Sequence, residues 1–142
     1  MSATERTLAY LRAQGYHVAV VEKRVVGITI DAFGFIDILA YKADDPMVVA
    51  VQSTTGSNHA AHLRKYEAKP LVLERIKDWI AHRKFLIISW SKTGPRGKRK
   101  LWTPRVEEIT PKWICESMAK IGVTSPTKSE VVGSSPITSE GV

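Results

Sequence analysis

Two short apolar segments in close succession constrain this chain more than any other feature. From Phe33 to Tyr41 the residues alternate as in a strand, with Ile36, Ile38 and Ala40 on one side and Phe35, Asp37, Leu39 and Tyr41 on the other. The turn Ala43-Asp44-Asp45-Pro46 leads into Met47 to Thr54, where Val48, Ala50, Gln52 and Thr54 share a side. This pattern predicts a hairpin of two central strands. Asp37 interrupts an otherwise apolar face. An unpaired buried carboxylate costs several kcal/mol, on the order given for desolvated ions, so it calls for a partner or a function. Lys23 and Arg24, on the strand before it, are the candidate structural partners.

The flanking segments predict an α/β domain around that hairpin. Ser2 and Glu5 have capping-box spacing, Leu8 and Leu11 recur on one face, and Gly15 can end a helix over roughly 3–14. Tyr16 to Val26 is rich in β-branched residues and reads as a strand, with Gly27 beginning a turn. Asn58 to Glu67 reads as a helix that Pro70 interrupts, followed by a second helix with Val72, Ile76, Trp79 and Ile80 as its buried stripe. Phe85 to Trp90 is a further strand. Thr110-Pro111 caps a last helix that Gly122 stops. A chain of 142 residues fits one domain. We expect that domain at 1–122 and a flexible tail at 123–142, where Ser, Thr, Pro and Gly accumulate and periodicity vanishes.

Charge narrows the partners. Lys and Arg number 21 against 14 Asp and Glu, a formal net charge of +7, which favours a polyanion. The loop from Lys92 to Lys100 concentrates it: Lys92, Arg96, Lys98, Arg99 and Lys100 lie between Trp90 and Trp102, a pairing of cations and aromatic faces suited to a nucleic-acid backbone and its bases. No apolar run approaches the roughly 20 residues of a membrane helix, so no membrane partner is expected. The N-terminus lacks a secretory pattern, and the single cysteine, Cys115, excludes an internal disulfide or a cysteine-cluster zinc site. Both point to the cytoplasm.

A helix, three strands with an acid on the second, a polar triplet ending the third, and another helix form an order that resembles the PD-(D/E)XK nuclease superfamily. Within it the chain is most similar to Holliday junction resolvase-like and related small phage nucleases. The matching residues are Glu5-Arg6-Thr7-Leu8, Phe33-Gly34-Phe35-Ile36-Asp37-Ile38 and Val49-Ala50-Val51-Gln52-Ser53-Thr54, which together cover roughly residues 3–66. The resemblance implies a restriction-endonuclease-like core, a mixed central sheet flanked by helices in the order αβββαβ with a C-terminal helix. It also implies a Mg²⁺- or Mn²⁺-dependent endonuclease acting on double-stranded or branched DNA, a homodimer, and a bacterial or phage-infected host cell.

Carried over residue by residue, Glu5, Asp37, Gln52 and the Ser53 carbonyl surround the metal, and Thr54 stands where the family has its lysine. Gln52 replaces a carboxylate. Its amide oxygen can still ligate a hard cation, though without formal charge. Threonine cannot supply the lysine's charge, so a cation must reach in from the following helix, with Lys65 the candidate and Arg64 the alternative. Glu5 also has a structural reading, as the acidic half of the capping box with Ser2. Asn58, His59 and His62 gather at a helix start, where solvated polar residues or phosphate contacts are both expected. A second reading of the whole is a nucleic-acid-binding protein that kept the fold and lost its chemistry with Gln52 and Thr54.

Overall fold

The structure is a computed structural model that describes residues 1–122; the expected tail, 123–142, lies outside the described residues. The elements in chain order are α1 (Ala3–Ala13), β1 (His17–Val20), β2 (Lys23–Val25), β3 (Ile28–Ile30), β4 (Ile38–Lys42) and β5 (Asp45–Thr55). A single 3₁₀ turn (Gly56–Asn58) then leads into α2 (His59–Glu67), α3 (Pro70–Ile80), β6 (Lys84–Thr93), β7 (Leu101–Glu108) and α4 (Pro111–Lys120). Five strands form one mixed sheet in the order β1-β4-β5-β6-β7. Only β5 and β6 run parallel, because α2 and α3 carry the chain back across the sheet between them.

Alternation along the central strands divides the core in two. Ile38, Ala40, Val49, Val51, Ile88 and Trp90 pack with Leu11 of α1 on one face. Ala50, Phe85 and Ile87 pack with Tyr66, Leu73, Ile76 and Ile114 of α2, α3 and α4 on the other. The fold is therefore α/β, with a five-stranded mixed sheet between helical layers. Among the described residues no helix is long and apolar enough to cross a membrane.

The structure departs from the sequence reading at both edges of the central hairpin. Tyr16–Val26 is not one strand: β1 stops at Val20, and β2 and β3 form a separate two-stranded sheet. The turn between them places Val26 at φ 46° and Gly27 at φ 78°. β-branched composition reads alike in both pieces, and only their pairing separates them. Phe33–Ile36 is a turn rather than strand, with Phe33 at φ 56° and Gly34 at φ 87°. A Cβ on Gly34 would stand 2.9 Å from Val72 Cγ2, so this position needs glycine for its conformation and for the close approach of α3. The turn lets Phe35 and Ile36 enter the same core cluster, which strict alternation forbids. β7 adds a strand that the expected αβββαβ order lacks.

Candidate functional site

Asp37 stands at the mouth of β4 and is 3% exposed. Its backbone amide bonds the Val51 carbonyl at 3.0 Å, which sets it against β5. Its Oδ2 accepts from Gln52 Nε2 at 2.6 Å and from the Ser53 amide at 2.9 Å. Asp37 and Gln52 thus share one face of the sheet. Tyr66, buried on α2, donates its hydroxyl to Gln52 Oε1 at 2.6 Å. Burial, and then the nearby Asp37 and Asp31 charges, push the Tyr66 phenol far above its usual range, so it acts here as a neutral donor. From the opposite face Thr7 of α1 holds the Ser53 hydroxyl at 2.7 Å and accepts from Trp90 Nε1 at 2.8 Å. The Gln52-Ser53 step is therefore locked from both sides.

Two further acids converge here. Carboxylate oxygens of Glu22, Asp31 and Asp37 all lie within 4.8 Å of one another. Burial above all, then a hydrogen bond with Asp31, pushes the Asp37 carboxyl up to about 8; the Ser53 amide opposes this, and the Asp31 and Glu22 charges add to it. Periodicity along the chain gave no sign of Glu22 or Asp31. They flank the β2–β3 hairpin almost symmetrically about its Val26-Gly27 turn. The amides of Val21 and Glu22 bond the Asp37 carbonyl at 2.8 and 3.3 Å, which draws the first end of the hairpin onto the site. Only recognition of that hairpin would have brought the two acids together.

Glu5 is exposed and closes the capping box: Ser2 N donates to its Oε1 at 2.7 Å, and Glu5 N donates to Ser2 Oγ at 3.1 Å. These bonds hold its carboxyl below the usual value. It is not among the converging acids. Glu5 and Thr7 lie two residues, about 200°, apart around the helix, and it is Thr7 that faces β5. We predict that Glu5→Ala lowers thermal stability slightly and leaves metal dependence unchanged; titration of each variant with Mg²⁺ and Mn²⁺ checks it.

Thr54 is buried on the same side of β5 as Gln52. Lys65 is exposed on α2 and lines a groove of about 470 Å³ with Asp31, Lys69 and Arg75. Arg64, one position earlier, is also exposed. Lys92, Arg96, Lys98, Arg99 and Lys100 are all exposed, and Trp102 carries Arg6 at 3.8 Å and Lys92 at 5.4 Å from its ring centre.

The two histidines require a correction. His59 is not a solvated residue: it is 1% exposed, with Nδ1 at 2.7 Å from Ser89 Oγ and Nε2 at 2.7 Å from Glu107 Oε1. It ties the start of α2 to β6 and β7, and the β7 partner was invisible in the sequence. His62 is half-buried and points its Nδ1 inward, without a hydrogen-bond partner among the described residues. Burial, then the charge of Lys65, lowers its pKa and favours the neutral ring. No protein-family model matches the chain, and no curated protein matches it.

Proposed function

We propose that the protein is a metal-dependent endonuclease of the restriction-endonuclease-like kind, acting on phosphodiester bonds of DNA. The observation that carries the reading is Asp37, a buried carboxylate met by neutral donors from Gln52 and Ser53 and by two further carboxylates. Among the described residues no ion pair reaches it. Such a set is poorly compensated by the protein alone and fits a hard divalent cation, which prefers oxygen ligands.

Asp37, Asp31 and Glu22 would hold the cation, with Gln52 as auxiliary. Gln52 turns its nitrogen towards Asp37, so its amide must rotate to offer oxygen; the Tyr66 hydroxyl can then accept from the nitrogen instead. A bound cation would neutralise charge developing on the phosphate and activate water. The chain's own residues do the rest. Tyr66 and Ser53 orient Gln52 and Asp37, and Lys65, which lines the same groove as Asp31, is a cation able to hold the phosphate in place of the missing motif lysine. A duplex cut on both strands needs two such sites, which a two-fold homodimer would supply.

The second reading, a non-catalytic DNA-binding protein of the same fold, is favoured by the direct bond from Gln52 to Asp37, which occupies the carboxylate without any cation. Incubating the purified full chain with duplex and four-way-junction DNA in Mg²⁺ or Mn²⁺ separates the two. Nicked or cut product blocked by EDTA supports the nuclease; binding without cutting under either metal overturns it in favour of the binding protein.

The basic loop between β6 and β7, with Lys92 at the end of β6, gives a separate expectation. Neutralising Lys98, Arg99 and Lys100 together should reduce the slope of log affinity against log salt by up to about 0.9 for each phosphate that the loop no longer neutralises. Fluorescence anisotropy across a salt series measures it, and an unchanged slope would place the nucleic acid elsewhere.

A further inference from the structure

The β2–β3 hairpin bears apolar side chains that cover no core. Val26 at its tip is 95% exposed, Ile28 is 64% exposed, and Phe33, just beyond β3, is 61% exposed. Val26 takes a left-handed conformation that a β-branched residue rarely adopts. Nothing in the packing of the described residues requires these side chains to be apolar. The hairpin is nevertheless held in place at its base, because the amides of Val21 and Glu22 bond the Asp37 carbonyl at 2.8 and 3.3 Å.

Its surroundings are cationic. Lys23 and Arg24 lie on β2 and are exposed. Thr29, Ile30 and Phe33 form one side of the groove whose other side carries Lys65, Lys69 and Arg75. Arg75 reaches across to the Phe33 carbonyl at 3.4 Å. An apolar tip on a basic base complements a polyanion that also presents apolar faces, as nucleic acid does where its bases are unstacked. Proteins that open a base step insert aliphatic or aromatic side chains of this kind beside backbone-binding cations.

We propose that the β2–β3 hairpin is a wedge that enters DNA at a branch or strand-separated step, with the adjoining Lys65, Lys69 and Arg75 groove holding the phosphates. The inference rests on the nuclease reading for its choice of DNA, and what it adds is that the hairpin is the element that tells interrupted from continuous duplex. Because the start of the hairpin is anchored on the Asp37 carbonyl through the Val21 and Glu22 amides, a branch point caught by Val26 and Ile28 brings the nearby backbone towards Asp37.

The experiment compares binding in EDTA, so that cutting plays no part. A continuous duplex, a forked duplex and a four-way junction of matched sequence are titrated with the full chain and with Val26→Ser/Ile28→Ser. Both substitutions fall on exposed hairpin positions and spare the core, and circular dichroism checks the fold. 2-Aminopurine at the branch reports unstacking. The wild type should bind fork and junction at least about 10-fold tighter than duplex and brighten the probe. The double variant should keep its duplex affinity, lose most of the preference and leave the probe dark.

Equal affinity of the wild type for all three DNAs overturns the wedge, as does a preference that the variant retains. If light scattering shows the wild type to be an oligomer and the double variant a monomer, the hairpin is a contact between copies and the wedge is again overturned. Branch preference without any metal-dependent cutting would retain the wedge and reject the nuclease; cutting without preference would do the reverse.

Discussion

Asp37→Asn should abolish metal-dependent cleavage and, at the same time, make the metal-free protein more stable at alkaline pH. The loss of cleavage should exceed about 100-fold, the upper end of what outer-shell partners of a metal cost. The stability effect follows from the same burial. The folded-state value of Asp37, about 8, lies above its ordinary 3.8, so the native state holds a proton that the unfolded chain has released. Its contribution to stability is full below about pH 3.8 and is lost as pH rises through about 8, at a cost on the order of a few kcal/mol. Asparagine carries no charge to desolvate. Its oxygen can accept from Gln52 and Ser53, and its nitrogen can donate to Asp31. Urea unfolding without metal should therefore find wild type and variant close at pH 5 and the variant more stable at pH 8.5. Mg²⁺ should reverse that order, since a cation binds the ionised carboxylate and releases its proton. If the variant is the less stable protein at pH 8.5 without metal, Asp37 is a structural acid, and the cation site has lost its main support.

The parts of the molecule legible in the sequence were those governed by local periodicity. Capping by Ser2 and Glu5, the stripe of α3 and the Thr110 cap of α4 follow from spacing alone, and the meeting of Asp37 with Gln52 was expected from the order of the strands. What escaped was set by pairing between distant residues. Val25 and Ile28 have the composition of core strand residues, yet they pair with each other in a separate two-stranded sheet and join no core cluster among the described residues. His59 looked like a solvated residue at a helix start, because its partners Ser89 and Glu107 come from strands 30 and 48 residues away. Glu5 has the residue type a metal site needs, but the helical turn that makes it a good capping residue also turns it away from β5 and presents Thr7 instead.

Gln52→Glu separates a ligand from a mere partner of Asp37. Tyr66 can donate to a carboxylate as readily as to an amide, so one side of the new residue stays satisfied. The other side changes sign: where Gln52 Nε2 now donates at 2.6 Å, a carboxylate oxygen would face Asp37 Oδ2 with no donor between them. Two such acids cannot both ionise without a cation, so the metal-free variant should take up a proton and lose stability as pH rises, more steeply than the wild type. A fourth carboxylate beside Asp37, Asp31 and Glu22 should in return tighten Mg²⁺ or Mn²⁺ binding by about 10-fold or more, the factor that roughly 1.4 kcal/mol of added attraction produces. Isothermal titration at pH 8.5 reads the affinity, and thermal unfolding with and without metal reads the compensation. A variant destabilised to the same degree in both conditions, with unchanged affinity, would show that residue 52 only satisfies Asp37 and that the cation, if bound, is held by Asp31 and Glu22 without it.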